Sequence, residues 1–191
     1  MRAQAAFPFD WITTLDSERF LQILEDDFAF FLDDQYLSVA SEPAGSLLNT
    51  RYHVEFLHEG NFNGDGYAPN IQKLKSKYEK RIERFRSLAE YPGKVVFLRT
   101  AYEYSTTNTH RTYLCSDNLN ITDEYAWKLY LILQNFFPKL DFILIVINND
   151  QGEGVREEIR LNDRLIKIKS NWTEESSLKY NSYKKFFQGV L

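Results

Sequence analysis

Cysteine is almost missing from this chain: Cys115 is the sole thiol among 191 residues. One sulfur excludes an internal disulfide framework and a Cys-rich zinc site, since either needs several. Glycine is scarce too, at 8 residues. Three of them, Gly60, Gly64 and Gly66, share a loop but do not follow the G-x-G-x-x-G phosphate cradle. No Walker lysine and no G-x-S-x-G elbow occurs. Long apolar runs are lacking: Phe142 to Ile147 falls far short of the roughly 20 residues that cross a bilayer. The N-terminus has no apolar stretch followed by a small-residue cleavage site, so the expected location is the cytoplasm and no membrane partner is expected. A basic excess is also absent. With 23 Lys and Arg against 27 Asp and Glu, the formal charge is −4, which argues against a nucleic-acid coat. Three scattered histidines, His53, His58 and His110, show no ligand spacing, so neither metal nor cofactor is expected.

What the chain does have is apolar and aromatic bulk: 43% hydrophobic residues, with 15 Phe, 12 Tyr and 3 Trp. A globule of this length buries about 70% of its unfolded surface, enough for a core without staples. The reading is a single α/β domain over residues 1–191.

Periodicity divides the chain. Phe20, Leu21, Ile23, Leu24, Phe28, Phe31 and Leu32 follow helical spacing, predicting a helix over 17–32 with Asp16 as N-cap. Residues 38–48, with Pro43 and Gly45, read as a loop. Residues 52–58 alternate and read as a strand with Tyr52, Val54, Phe56 and His58 on one face. Ile71, Leu74, Tyr78, Ile82, Phe85 and Leu88 form the clearest helical stripe, over 70–89. Residues 94–100 and 141–148 are apolar runs suited to buried strands. Between them Thr122 caps a helix carrying Trp127, Tyr130, Ile132, Leu133, Phe136 and Phe137, which Pro138 ends. Residues 158–161 and 164–169 read as a hairpin around Asn162-Asp163, and 175–187 as a last helix. Strand, helix, strand, helix, strand predicts a three-layer, mostly parallel sheet flanked by helices, with a C-terminal β-hairpin.

In such sheets ligands sit outside the carboxyl ends of the strands. That rule selects His58, then Arg99 with Thr100, then Asn148 with Asn149 and Asp150. His58 could work as an acid or base there; a half-buried histidine bonded to a backbone carbonyl is the plainer account. Arg99 follows four apolar residues, so its charge needs either an internal carboxylate such as Asp10 or an anionic ligand group. The second helix holds seven cations against two acids between Lys73 and Arg86. Most read as a solvated face with i,i+4 partners. Arg81 lies at the edge of the apolar stripe and calls for a fixed salt bridge or a ligand contact. Cys115 reads as a small buried hydrophobe more readily than as a nucleophile.

Phe7-Pro8-Phe9-Asp10-Trp11-Ile12 is an unusual hexapeptide. With Asp26-Asp27-Phe28 to Phe31-Leu32, Val54 to His58, Lys77 to Phe85 and Val95 to Arg99, in that order, it resembles the bacterial family of unknown function named "putative papain-like cysteine peptidase". The resemblance covers roughly residues 5–148 and implies a Cys–His hydrolase. It implies His58 and Asp10 as the catalytic pair and Arg81, Arg84 and Arg99 as matching basic positions. Arg81, Arg99 and Asn148 are the expected substrate-binding residues, and the substrate is a peptide or small molecule of unknown identity. Members of the family carry a Ser-Leu-Gly-x-x-Cys type segment ahead of the P-F-D-W block. Here only six residues precede Phe7, so the expectation is a relative lacking that cysteine, inactive or differently catalytic. Two alternatives stay open: an α/β domain binding or transferring a phosphorylated small molecule, and a non-catalytic partner-binding protein. Homo-oligomerisation stays open as well.

Overall fold

The computed structural model describes residues 6–10, 12–14, 16–39, 47–56, 71–100, 121–149 and 157–170. Three helices and two sheets account for most of them. The helices are α1 (Ser17–Glu25), α2 (Ile71–Arg86) and α3 (Asp123–Phe136). The first sheet joins β1 (Ile12–Thr14), β2 (Leu37–Val39), β3 (Leu47–Asn49) and β4 (Val54–Phe56) in the order β1-β4-β3-β2, antiparallel throughout. The second joins β5 (Val95–Thr100), β6 (Phe142–Asn149), β7 (Glu157–Asn162) and β8 (Leu165–Ser170) in the order β5-β6-β8-β7. There β5, β6 and β8 run parallel, and β7 is antiparallel to β8.

The fold is therefore mixed α/β, but a mostly parallel sheet is not what forms. The alternating segment at 52–58 supplies β4 of the antiparallel sheet, not the first strand of the parallel one. Its partners are three-residue strands, β1 and β3, too short to announce themselves by pattern. The hairpin is present, with its turn at Asp163-Arg164 and Asn162 paired to Leu165.

Side-chain alternation in the second sheet separates two apolar faces. Val95, Phe97, Phe142, Leu144, Val146 and Leu165 join the large cluster built with the helices and the first sheet. Val96, Ile143, Ile145, Ile147, Ile166 and Ile168 form a second cluster on the other face. All three helices contribute their buried stripes to the first cluster, so among the described residues helices pack on one face only, not on both. No described helix is long and apolar enough to cross a membrane.

The first cluster is an aromatic lattice. The Phe85 ring meets Phe9, Phe28, Phe97, Phe136 and Phe137 at centroid distances of 5.0–6.1 Å. This ties α2 to α3, to β5 and to the N-terminal Phe7–Asp10 turn. Edge-to-face pairs of this kind add about 0.5–1.5 kcal/mol each beyond area burial.

Helix α1 stops earlier than its periodicity predicts. Asp27 and Phe28 take φ of 45° and 62°, and the Phe28 amide bonds back to the Ile23 carbonyl at 2.8 Å. Two left-handed residues end a helix whatever the hydrophobic pattern beyond them. Phe28 tolerates the strain because its ring is buried against Phe9, Phe31 and Phe85. In α3 the cap is as expected: the Tyr125 amide donates to Thr122 Oγ1 at 3.1 Å. The buried stripe differs, being Tyr125, Ala126, Leu129, Tyr130 and Leu133, while Trp127 is exposed.

Candidate functional site

Strand β5 ends beside the N-termini of two helices. Arg99 carries its side chain onto the helix-packed face, where Nη2 donates to Thr14 Oγ1 at 2.6 Å. Its guanidinium lies over the Phe20 ring of α1, 4.4 Å from the centroid. Register places Arg99 opposite Val146, and Val146 opposite Lys167. Two cations thus share one row on one face, their backbones about 10 Å apart at ordinary strand spacing. Lys167 is buried and charge-paired, with Nζ 2.5 Å from Asp123 Oδ1 at the start of α3.

Three buried polar atoms here have no hydrogen-bond partner: Arg99 Nε, Ser17 Oγ on the first residue of α1, and the Tyr125 hydroxyl in the first turn of α3. Ser17 is 2% exposed and Tyr125 3%. Burial pushes the Tyr125 phenol above its ordinary pKa, and the Arg99 guanidinium pulls the other way through its charge and its approach to the hydroxyl. Nearby acids have cations of their own. Asp16 caps α1 through the Arg19 amide at 3.1 Å and faces the Arg19 guanidinium; Glu18 faces Lys128 at 3.5 Å.

Arg81 is 4% exposed, on the inner face of α2. Among the described residues it has neither a hydrogen bond nor an ion pair, and its Nη1 is buried without a partner. Its guanidinium lies over the Tyr78 ring, 4.6 Å from the centroid. The salt bridge that the sequence made one of two options is therefore not found there.

The other expected site residues scatter. Asp10 is exposed, and its Oδ2 accepts the Phe7 amide at 2.7 Å, closing the N-terminal turn. Among the described residues nothing joins it to Arg81 or Arg99. Asn148 lies on β6, two residues past the Arg99 row, paired in register with Lys169. His58, Cys115, His110 and Asp150 lie outside the described residues, as do 175–187. His58 follows a strand of the antiparallel sheet, so the carboxyl-end rule that selected it does not apply to β4. Among the described residues no group of three His, Cys, Asp or Glu is arranged to hold a metal ion.

A concavity of about 540 Å³ opens at the far end of α1 between Leu24, Glu25, Asp27, Arg86, Ile132, Asn135 and Phe136. Its cation is engaged: Arg86 Nε meets Asp27 Oδ1 at 2.9 Å and Nη2 meets the Asp27 carbonyl at 2.8 Å.

The sequence of a known family now bears on these residues. The family described as "Putative papain-like cysteine peptidase (DUF1796)" matches residues 1–152. The chain belongs to this family. The match takes in both arginines, the P-F-D-W block and everything through β6, and it stops before the β7–β8 hairpin that supplies Lys167. No curated protein and no solved structure matches the chain. Within this papain-like family member, Thr14, Ser17, Tyr125 and Lys167 are the neighbours of Arg99 that sequence reasoning missed. Lys167 had a signal: like Arg99 it interrupts a run of buried strand residues. Ser17 and Thr14 had none, since small hydroxyls next to a cap read as capping residues.

Proposed function

We propose that the chain is a cysteine hydrolase of the papain-like kind, acting on a carbonyl group of a peptide or small molecule. Its family membership over residues 1–152 carries the reading. His58 is the base and Asp10 orients it; in sequence they stand two residues outside the Ile12–Phe56 pair of the β1–β4 ladder. Arg81, Arg99 and Asn148 bind substrate at the carboxyl end of the parallel strands. Hydrolysis by this route moves a proton from a thiol to an imidazole. A sulfur–acyl bond forms, the leaving group departs with the proton, and water then cleaves the thioester. The one thiol available within these 191 residues is Cys115.

The test is the alkylation rate of Cys115 against pH, in wild type and in His58→Ala. Rapid alkylation below pH 7 that slows in the variant is the expected result, because a neighbouring imidazolium lowers a thiol's pKa. Slow alkylation with an ordinary thiol profile in both proteins would remove peptidase chemistry from this chain.

A further inference from the structure

We infer that Arg81 and Arg99 together form a binding site for an oxyanion, with the Ser17 and Tyr125 hydroxyls as neutral donors beside it. The inference deepens the proposed substrate site and takes from that reading only the role of Arg81 and Arg99 as ligand-binding residues.

The two arginines come from different elements, and two chains of contacts lead from one to the other. On one side, Phe85 of α2 packs on Phe97 of β5 with centroids 6.1 Å apart. Arg81 is one helical turn before Phe85, about 6 Å along the axis. Arg99 is one pleat after Phe97, about 6.6 Å along the strand. On the other side, Arg99 bonds Thr14, and Thr14 pairs with Val54 in the β1–β4 ladder. Phe56 of the same strand meets Tyr78 at 5.0 Å, and Tyr78 lies under Arg81.

Charge and burial then decide what belongs between them. Lys167, third in the neighbourhood, is satisfied by Asp123, and the acids Asp16 and Glu18 face Arg19 and Lys128. No described carboxylate pairs with either arginine. Leaving a buried guanidinium without a counter-ion costs several kcal/mol, so such groups are ordinarily paired. Four donors left over in one region, two of them cationic, suit a carboxylate or a phosphoryl group, both of which guanidinium binds through charge-assisted hydrogen bonds.

The experiment is a melting series at pH 7 in potassium phosphate, potassium acetate and potassium chloride at matched ionic strength, for wild type, Arg81→Met and Arg99→Met. Binding raises the wild-type Tm in one of the two oxyanions by about 3–5 °C over chloride at ten times Kd. Both variants lose that increment, and in chloride Arg81→Met melts at or above wild type because a buried charge has gone. An Arg-dependent shift in phosphate names a phosphoryl ligand; one in acetate names a carboxylate ligand. Equal shifts in all three proteins, or no shift over chloride, overturn the inference. So does an Arg81→Met protein that melts well below wild type in chloride, which assigns Arg81 an internal partner. An Arg81→Met protein that fails to fold counts as the same overturning result for Arg81, and Arg99→Met then tests Arg99 by the same comparison. Cys115 alkylation is silent on this result, so either proposal can fail without the other.

Discussion

Helix α1 has two differently furnished ends. At its C-terminal end, Asp26 accepts from Arg51 Nη2 at 3.2 Å and from the Tyr52 hydroxyl at 2.9 Å. Arg51 lies over Phe30 at 3.9 Å, and Arg86 grips Asp27 through two bonds. Of these polar atoms only Arg51 Nε is buried without a partner. At the N-terminal end Ser17, Arg99 and Tyr125 all keep buried polar atoms unpartnered. Buried polar groups are satisfied in the great majority of cases, so three exceptions at the starts of α1 and α3 and the end of β5 ask for a cause other than stability. The contrast sets structural work at one end of α1 against the proposed ligand site at the other.

The largest effect should come from cutting the structural end. Asp26→Ala strands both Arg51 and the Tyr52 hydroxyl, and a loss of about 2–3 kcal/mol in urea unfolding is expected, as for hydrogen bonds to a charged group. A neutral result would dissolve the contrast. Next comes alkaline pH. Burial and the Asp26 carboxylate push Tyr52 up to about 12, against 10 in the unfolded chain. As pH rises, the unfolded chain therefore gives up this proton first. The stabilisation is whole below pH 10 and drains away between pH 10 and 12. Because Asp26 is partly exposed and screened, the drop should be about 1–2 kcal/mol, and Tyr52→Phe should flatten it in denaturation curves taken across that interval. The smallest effect is expected at the ligand end. Arg99→Met forfeits one bond to Thr14 and relieves one orphaned Nε, so unfolding in chloride should shift by less than about 1 kcal/mol. A loss as large as that of Asp26→Ala would make both ends structural.

Much of the framework was legible because it rests on local chemistry. Thr122 caps α3, the Leu74–Tyr78–Ile82–Phe85 stripe is the buried face of α2, and the apolar runs at 95–100 and 142–149 are the parallel strands. What stayed hidden depends on pairing across distance. Three-residue strands leave no periodic trace, so nothing local told β4 to join β1 and β3. The end of α1 is set by backbone conformation at Asp27 and Phe28, which a hydrophobic pattern does not encode. At the site, Arg99 stood out as a cation closing an apolar run and Arg81 as one at a stripe's edge. Lys167 interrupts a run of apolar strand residues in the same way, but it sits in a hairpin, where lysines usually face water, and so its signal was weaker. Asp10 had a plain signal in its spacing from Phe7: a carboxylate three residues on can close a turn by accepting the earlier amide, as it does here.

The order β5-β6-β8-β7 also has a temporal side. Strand β6, the most apolar of the described strands, finds its second neighbour not in the next described strand made but in the one after it. Ribosomes add about 5–20 residues per second. The open backbone of β6 therefore waits about one to four seconds, from residue 149 to residue 170, before β8 exists to seal it. During that interval the nascent chain carries an unpaired Ile-Leu-Ile-Val-Ile edge, a template for another copy emerging nearby. Rapid closure of the β7–β8 hairpin, a matter of microseconds once both strands are out, ends the exposure.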